Sequence, residues 1–312
     1  MMMKDLEPNV LVVLGPTASG KTRLAVQLAY HLQSGVISAD SRQVYRHMDI
    51  GTGKDLNEYI VNNQQVPYHL IDILEPGEQY DVAQFQRDVM QIIPQYPPPN
   101  IPVLCGGTGL YIQAVLTNHQ FTHIPIDEEK RAFWQKAGFE AAQKHYENLK
   151  QMLYQGDTST FKRLIRAIEI NEYLLENPMP DVSSYAFSPF IIGLDVSREE
   201  RRKRISARLK KRVEQEGMIQ EVEELLKKGV SADKLRFYGL EYKYITDYLE
   251  GYITRETMLA QLEVAIHQFA KRQMTFFRSM EKKGMKIHWI DAQLEVTQQL
   301  NEIKKAGFLG LH

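Results

Sequence analysis

The sequence predicts an α/β fold in which helices flank a parallel sheet. Three short runs rich in β-branched and aliphatic residues, at Val10 to Leu14, Val36 to Ala39 and Ile101 to Cys105, are typical of buried strands. Each run ends in a glycine-rich or polar segment, and a helix-like stretch follows. Ligands bind beyond the carboxyl ends of the strands in such sheets, so we expect the chemistry directly after these runs.

The composition is that of a soluble enzyme with one or two lobes. The 312 residues are 43% hydrophobic, which is enough for one large core or for a core with a smaller lobe. Because 38 basic residues face 39 acidic ones, the total charge does not indicate a nucleic-acid partner, and any basic surface must be local. The single cysteine, Cys105, excludes an intrachain disulfide and favours a cytoplasmic location.

The first ten residues, MMMKDLEPNV, do not have the pattern of a signal peptide. Lys4 is mixed with Asp5 and Glu7 before any continuous hydrophobic run begins. No later run is long enough to span a membrane. We therefore expect no membrane partner, and we expect the chain to act as a monomer.

The residue pattern changes from about Asn118 to Tyr185, where mixed charged and aromatic residues replace the strand-like runs. The strand pattern returns at Phe190 to Val196, and the sequence after Asp195 is predominantly helical. We interpret residues 118–185 as a helical lobe inserted into a core domain formed by residues 1–117 and 186–312. Pro178 and its neighbours support the far edge of the lobe, since they break a helix-like stretch there.

The segment after the first strand-like run, GPTASGKT, matches the complete P-loop pattern and predicts a P-loop NTPase-like sheet. Glycines let backbone N–H groups converge on phosphate oxygens, Lys21 adds a charge, and Thr22 can ligate Mg²⁺. The predicted phosphate-binding residues are Gly15, Pro16, Thr17, Ala18, Ser19, Gly20, Lys21 and Thr22. A P-loop alone leaves open whether ATP hydrolysis, phosphoryl transfer or loss of a diphosphate leaving group follows.

Two further motifs follow the other strand-like runs. Asp40 stands at the end of the second run, where its carboxylate could act as a general base or an outer Mg²⁺ ligand, or could cap a helix together with Ser41. The GGTGLY motif at Gly106 to Tyr111 permits close approach of a ligand and offers the Thr108 hydroxyl, although such turns are also common as plain structure. Asp72 remains a second candidate for a carboxylate beside Mg²⁺.

Basic residues are concentrated in two places. Nine basic residues lie between Arg198 and Arg212 against two acidic ones, which gives a local charge of +7. The segment KRQMTFFR combines Lys271 and Arg272 with the aromatic pair Phe276 and Phe277. Such a combination suits contact with a phosphate backbone and stacking on bases, whereas solvated helix faces and core positions are the alternatives.

Taken together, these motifs resemble the tRNA dimethylallyltransferase family, also called tRNA isopentenyltransferases. The matching segments span nearly the whole chain in order, so their joint occurrence is more specific than any one of them. They are GPTASGKT, DSRQVYRHMDIGTGK (40–54), HLIDI (69–73), GGTGLY, RLIRAIE (163–169), Arg204, Arg208, YLEG (248–251) and AKRQMTFFR (270–278).

The resemblance implies transfer of a dimethylallyl group from its diphosphate to the N6 amine of an adenosine next to the anticodon in tRNA. Asp40 would remove the amine proton, Thr108 would lie at the reaction channel, and Thr22 would hold Mg²⁺. Lys21 and the neighbouring amides would bind the diphosphate, with Arg204 and Arg208 close to it. The residues expected to contact tRNA are Asp40, Ser41, Arg42, Gln43, Lys162, Arg163, Leu164, Ile165, Arg166, Lys271, Arg272 and Gln273.

Three segments depart from the family pattern. Glu241 stands where the family has a glycine before Tyr-Lys, and Ile266 and His267 replace the usual Thr-Arg. The usual Pro-Asn-Asp element is reduced to Gly156 and Asp157. Because all three lie in segments expected to face RNA, they predict an altered tRNA range rather than altered diphosphate chemistry.

Three other functions are compatible with parts of this pattern. Transfer to a free adenine nucleotide uses the same core, but the inserted lobe and the basic and aromatic C-terminal region argue against it. A P-loop small-molecule kinase would be identified by an ATP-dependent phosphorylation assay. A non-catalytic RNA-binding module is disfavoured because Lys21, Thr22 and Asp40 occur together.

Overall fold

A computed structural model describes residues 7–149, 151–180, 185–308 and 310. Lys4, Asp5 and the rest of the first six residues therefore lie outside the described part. The contacts between residues divide the chain into two compact units. The core unit comprises Met1–Thr117 and Ala186–His312, and the inserted unit comprises Asn118–Tyr185. No helix among the described residues is both long and apolar enough to cross a membrane.

The core unit contains a six-stranded sheet in the order β5-β2-β6-β1-β7-β8, and every neighbouring pair in it is parallel. The remaining two strands, β3 and β4, form a separate antiparallel pair. The strands are β1 (Val10–Leu14), β2 (Val36–Ser38), β3 (Ile60–Val61), β4 (Gln64–Gln65), β5 (Tyr68–His69), β6 (Val103–Gly106), β7 (Pro189–Asp195) and β8 (Ile287–Asp291).

Strand β1 lies in the interior of this sheet, with Val12 opposite Leu104 of β6 and Ile191 of β7. All five of its residues are buried, as its uninterrupted aliphatic sequence predicts for a strand covered on both faces. The chain builds β2, β5 and β6 on one side of β1 and then crosses to β7 and β8 on the other. The loops after β1 and β6 therefore flank a switch point in strand order, where ligand sites form.

Helices surround the sheet and make up most of the rest of the chain. Several begin at a side-chain cap, as at Ser197, whose hydroxyl accepts from the Glu200 N–H at 3.2 Å. The helices are α1 (Lys21–His31), α2 (Val82–Ile92), α3 (Gly109–Leu116), α4 (Glu128–Ala137), α5 (Phe139–Glu147), α6 (Phe161–Glu176), α7 (Arg198–Glu214), α8 (Met218–Lys227), α9 (Ala232–Phe237), α10 (Leu240–Leu249), α11 (Arg255–Lys282) and α12 (Val296–Lys305).

Two hydrophobic clusters of the core unit bear on the position of the site. One surrounds β1, β6 and α1 and includes Leu11, Val13 and Leu24. The other joins α7, α8, α10 and α11, and it includes aliphatic and tyrosine side chains such as Leu209 and Tyr242. This second cluster fixes the helices that line one side of the cavity described below, so its packing sets the positions of their polar side chains.

The inserted unit contains α4, α5 and α6 around its own small hydrophobic cluster. Leu164 and Ile165 are 0% and 4% exposed within that cluster. The Arg166 guanidinium donates to the Phe121 carbonyl at 3.1 Å and the Ile124 carbonyl at 2.6 Å. The prediction that Leu164 and Ile165 contact tRNA was wrong, because their side chains form the core of this unit. The Arg166 guanidinium is hydrogen-bonded to backbone carbonyls of the same unit, and its contact with tRNA stays a prediction.

The segment after β2 is an irregular loop that is held by one buried charge, the Lys54 ammonium. Lys54 is 1% exposed, and its ammonium donates to the Tyr45 carbonyl at 2.8 Å while pairing with Asp49 at 2.5 Å and with Asp72. A buried ammonium requires such partners, since an unpaired charge is costly to desolvate. Asp72 is therefore a structural partner of Lys54, and its alternative assignment as a carboxylate beside Mg²⁺ was wrong.

A second anchor for this loop comes from α8. The Glu221 carboxylate accepts from the backbone N–H groups of Asp49 at 2.8 Å, Ile50 at 2.7 Å and Gly51 at 3.0 Å. It also accepts from the Tyr242 hydroxyl at 2.7 Å. One carboxylate thus satisfies four donors from two distant segments, and it fixes the loop that continues to Gly53 and Asp55.

We predict that Glu221→Ala lowers the free energy of unfolding by about 2 kcal/mol, because several donors lose their only acceptor. Chemical denaturation measures this change. Glu224→Ala is the matched control, since Glu224 is exposed on the same helix. Equal losses in the two variants would show that the Glu221 carboxylate does not hold the loop.

Candidate active site

A cavity of about 920 Å³ opens at the carboxyl ends of β1, β2 and β6. Its walls come entirely from the core unit. They include P-loop residues, the segment after β2, the GGTGLY turn, and parts of α7, α10 and α11. Among the sequence-predicted residues, the lining comprises Thr17, Ala18, Gly20, Lys21, Thr22, Asp40, Ser41, Arg42, Gln43, Thr108, Arg204, Arg208, Arg272 and Gln273.

The P-loop connects β1 to α1 in the geometry expected of a phosphate-binding turn. Gly20 precedes the helix with φ of 84°, a left-handed conformation that glycine adopts without strain. Lys21 and Thr22 then begin α1, so their side chains and the helix N-terminus face the cavity together. Gly15, Pro16 and Ser19 do not line the cavity, and Ser19 is only 2% exposed. Their contact with phosphate stays a prediction.

Lys21 carries the central positive charge of this loop. Burial lowers the pKa of its ammonium, and the negative charge of Asp40 is among the interactions that oppose the shift. The charges of Arg208 and Asp55 also act on it. The P-loop lysine, the Asp40 carboxylate and an arginine of α7 are thus close enough to interact electrostatically in one cavity.

Gln273 of α11 joins the P-loop to the GGTGLY turn. Its Oε1 accepts from the Thr17 N–H at 2.8 Å, and its Nε2 donates to the Gly107 carbonyl at 3.0 Å. A Cβ at position 107 would overlap the Gln273 amide, so glycine is needed there. Gln273 is 7% exposed. Both polar ends of this side chain hold active-site loops, and its contact with tRNA stays a prediction.

Asp40 and Thr108 are linked through the backbone between β2 and β6. The Asp40 Oδ1 accepts from the Arg42 N–H at 3.0 Å, and the Thr108 Oγ1 accepts from the Ser41 N–H at 3.4 Å. No helix follows Asp40, so its alternative interpretation as a helix cap was wrong. Gln43 uses its amide internally, since it donates to the Gly53 carbonyl at 3.0 Å.

Helix α7 presents three arginines to the cavity at intervals of four residues, namely Arg204, Arg208 and Arg212. This spacing places side chains on one face of a helix. Arg204 pairs with Glu200 at 2.7 Å, while Arg208 and Arg212 both pair with Asp55, at 2.6 Å and 3.2 Å. Arg212 was not predicted, although its spacing from the other two arginines was visible in the sequence.

The side chains of the KRQMTFFR segment in α11 lie in three environments, namely the surface, the cavity wall and the core. Lys271 and Arg272 are exposed, and the Arg272 guanidinium lies 5.9 Å from the centre of the Phe269 ring. Phe276 lines the cavity beside Gly109, whereas Phe277 is fully buried. The core alternative therefore holds for Phe277 alone.

The predicted tRNA contacts on α6 include two exposed basic residues, Lys162 and Arg163. Arg163 pairs with Asp157 at 2.5 Å, which ties one of the departures from the family pattern to the start of that helix. Both side chains remain accessible in the inserted unit. Their contact with tRNA stays a prediction.

The other departures lie in or near the cavity wall. Glu241 lines the cavity, and burial raises the pKa of its carboxyl while the nearby Arg212 and Arg208 oppose that shift. Ile266 is 8% exposed within the second hydrophobic cluster. The His267 Nε2 lies 3.6 Å from Glu263. Ile266 also lines the cavity, so the expectation that these positions face RNA stays a prediction, and Glu241 lies among the arginines.

Oxygen donors at the P-loop fit a magnesium ion. Thr22 lines the cavity with Asp40, and the helix start leaves its hydroxyl beside the phosphate-binding turn. Mg²⁺ binds few protein ligands and completes its octahedral shell with water and substrate phosphates. Among the described residues there is no group of three or more His, Cys, Asp or Glu side chains that could hold a metal. A site built on Thr22 and phosphate oxygens requires no such group.

Cys105 is excluded as a nucleophile. It lies buried in β6, and burial raises the pKa of its thiol to about 12. The reactive form of cysteine is the thiolate, which such a pKa disfavours near neutral pH. The chemistry of the cavity therefore depends on its carboxylates, hydroxyls, lysine and arginines.

The chain matches known proteins over nearly its full length. The family model described as IPP transferase matches residues 43–280, and the one described as isopentenyl transferase matches residues 8–73. The chain is 46% identical over 306 residues to tRNA dimethylallyltransferase 2 of Bacteroides fragilis strain YCH46, covering 98% of each chain. It is 49% identical over 303 residues to tRNA dimethylallyltransferase 1 of Azobacteroides pseudotrichonymphae, covering 96% of this chain and 98% of the relative.

A solved structure of a related transferase is also similar to this chain. The full-length tRNA isopentenylpyrophosphate transferase from Bacillus halodurans superimposes with a TM-score of 0.67 at 32% sequence identity. The similarity covers 98% of this chain and 100% of that one. The predicted P-loop NTPase-like parallel sheet flanked by helices is confirmed.

We predict that Gln273→Met lowers the free energy of unfolding by about 2 kcal/mol. Methionine has a similar length, but it leaves the Thr17 N–H and the Gly107 carbonyl without their partner. Denaturant titration of Gln268→Met provides the control, because Gln268 is exposed on the same helix. If the two substitutions cost the same, the bridge between the loops contributes nothing to stability.

Proposed function

The chain belongs to the IPP transferase family, and from that membership we propose how its cavity acts as a tRNA dimethylallyltransferase. The enzyme transfers a dimethylallyl group from dimethylallyl diphosphate to the N6 amine of an adenosine next to the anticodon in tRNA, and it releases diphosphate. The observation that carries the proposed mechanism is that Lys21 of the P-loop and Asp40 line one cavity and interact electrostatically. The Lys21 ammonium can stabilise the diphosphate anion as it leaves, and the Asp40 carboxylate can accept the proton of the amine.

The diphosphate would bind at the P-loop. Backbone N–H groups at the start of α1, the Lys21 ammonium and the guanidinium groups of Arg204 and Arg208 supply positive charge on one side of the cavity. An allylic diphosphate breaks its C–O bond more readily when the charge that develops on the leaving group is stabilised. Because the backbone N–H groups and Lys21 are placed by the start of α1 before the substrate arrives, they need little reorganisation during the reaction.

Magnesium fits the same place. Thr22 would hold the ion through its hydroxyl, and bound Mg²⁺ would neutralise part of the diphosphate charge. The Lys21 ammonium and the arginines supply the remaining positive charge from this chain.

Asp40 would act as the general base. The exocyclic amine of adenine is a weak nucleophile, so removal of its proton as the C–N bond forms favours the reaction. The Arg42 N–H holds Oδ1 at 3.0 Å, and in the described part of the chain Oδ2 has no hydrogen-bond partner. We assign the amine proton to Oδ2. Thr108 would fix this geometry through its hydrogen bond from the Ser41 N–H.

The adenosine must leave its stack to reach Asp40, as base-modifying enzymes require. Lys271 and Arg272 are exposed, and Arg272 also lines the cavity, so they are suited to bind tRNA phosphates. Ser41, Arg42 and Gln43 line the same cavity and would contact the substrate nucleotide or its neighbours. A tRNA substrate also agrees with the cytoplasmic location expected from the sequence.

We predict that Asp40→Asn lowers the rate of dimethylallyl transfer to tRNA by about 10²-fold or more, because loss of a general base typically costs 10² to 10⁴. Asparagine can still accept from the Arg42 N–H, so binding of inorganic diphosphate should stay close to that of the parent enzyme. Transfer is measured with labelled dimethylallyl diphosphate. Glu58→Gln removes another carboxylate from the same cavity and should lose far less. Near-normal transfer by Asp40→Asn would contradict the assignment of the base.

We also predict that replacing Lys271 and Arg272 with glutamine weakens tRNA binding. The slope of the logarithm of the binding constant against the logarithm of the salt concentration should become shallower by up to about two units. Each residue that contacts a phosphate releases counterions, so its loss reduces the slope. Binding is measured over a series of salt concentrations. Lys282→Gln with Lys283→Gln removes the same charge from the end of α11 and is the control. An unchanged slope in the first pair would place it outside the tRNA interface.

A further inference from the structure

Asp55 occupies an unusual position in the cavity, because it is an anion placed between the cations expected to bind an anionic substrate. Its carboxylate pairs with Arg208 at 2.6 Å and with Arg212 at 3.2 Å. All three residues line the cavity that contains the P-loop. The guanidinium groups that face the P-loop are therefore already paired with a carboxylate of the chain itself.

The surrounding structure holds this arrangement in place. Both guanidinium groups pack against Gly53, where a Cβ would overlap them, and Gly53 has φ of 68°. The loop that carries Gly53 and Asp55 is fixed upstream by the Glu221 carboxylate and by the buried Lys54. The backbone position of Asp55 is thus set by the fold, while its side chain is 40% exposed.

Electrostatic interactions link this group to the P-loop. Asp55 and Arg208 both act on the Lys21 ammonium, with opposite signs. Burial and the neighbouring Arg208 lower the pKa of Arg212, and the Asp55 carboxylate opposes that shift. Arg212 is 9% exposed, so it needs a nearby negative charge whether or not a ligand is bound.

We propose that Asp55 is a resident anion that competes with diphosphate for Arg208. This inference rests on the proposed binding of diphosphate at the P-loop. When diphosphate enters, Arg208 exchanges its carboxylate partner for a phosphate oxygen, while the more buried Arg212 remains with Asp55. When the product leaves, Arg208 returns to Asp55.

The exchange has a consequence for turnover. Diphosphate carries several negative charges and would bind tightly to Lys21, Arg204 and Arg208 if all were unpaired. An internal carboxylate that must be displaced weakens both substrate and product binding, and it therefore favours release of diphosphate after transfer. Asp55 is a positioning residue in this account, since it acts on the ligand through Arg208.

The test is the affinity for inorganic diphosphate, measured by calorimetry at pH 8 with fixed magnesium and ionic strength. Asp55→Asn removes the charge, and asparagine tolerates the left-handed backbone found at this position, where φ is 45°. We expect Asp55→Asn to tighten binding about tenfold, which corresponds to about 1.4 kcal/mol. Glu58→Gln removes a carboxylate from the same cavity that forms no ion pair with Arg208 or Arg212 in the described part of the chain, and we expect less than about a threefold change from it.

A double-mutant cycle separates competition from a general field effect. In an Arg208→Gln background, Asp55→Asn should change diphosphate affinity by less than about threefold, because the exchanged partner is absent. Equal or weaker binding by Asp55→Asn, in a variant whose thermal unfolding resembles that of the parent, would overturn the proposal. So would an equal gain in the Arg208→Gln background or in Glu58→Gln.

Lys21→Ala distinguishes failure of this inference from failure of the proposed function. If the parent binds diphosphate and Lys21→Ala does not, the P-loop is the diphosphate site, and the Asp55 results then decide the inference alone. If the parent does not bind diphosphate, or if Lys21→Ala binds it equally well, both the proposed site and the competition are wrong.

Discussion

The arrangement of the cavity depends on one side chain that connects three elements. Gln273 of α11 accepts from the Thr17 N–H in the P-loop and donates to the Gly107 carbonyl in the turn after β6. A parallel sheet brings the carboxyl ends of its strands to one edge, but it does not fix the loops beyond them. The amide bridge fixes two of these loops to a helix whose own position is set by the second hydrophobic cluster. It also explains why glycine is needed at position 107, where a side chain would displace the amide.

Charge is distributed so that opposite signs meet inside the cavity while the chain as a whole is almost neutral. Lys21, Arg208 and Arg212 lie among Asp40, Asp55 and other carboxylates of the same cavity. The charge of the cavity cannot be read from the total charge or from the excess of basic residues in α7, because the carboxylates that face these cations come from distant segments of the sequence. The Asp55 carboxylate thus compensates the charge of Arg212, whose side chain is only 9% exposed.

The sequence was sufficient for the parts of the structure that local patterns encode. The strand-like runs form β1, β2, β6 and β7 with boundaries shifted by at most two residues, and the P-loop begins α1 as predicted. Strand β8 was missed, because a short strand after a long helix has no distinctive flanking motif. The inserted unit at residues 118–185 is helical by itself, while its contact with tRNA stays a prediction.

The errors within the site share one physical cause. A family motif identifies a segment, but packing decides which face of a helix is buried, so Leu164 and Ile165 proved to be core residues. Arg212 and Asp55 were missed because their pairing joins residues that are far apart in sequence. Helical spacing could have suggested Arg212. Asp55 could not be found without the fold.

We propose that this cavity joins a dimethylallyl group to adenosine in tRNA with loss of diphosphate. The most direct test incubates the protein with dimethylallyl diphosphate and Mg²⁺, with bulk tRNA in one sample and adenosine monophosphate in another, followed by nucleoside mass spectrometry. We predict adenosine carrying one dimethylallyl group in the digested tRNA and unmodified adenosine monophosphate in the second sample. Modification of the free nucleotide instead of tRNA, or tRNA adenosine of unchanged mass, would contradict the account.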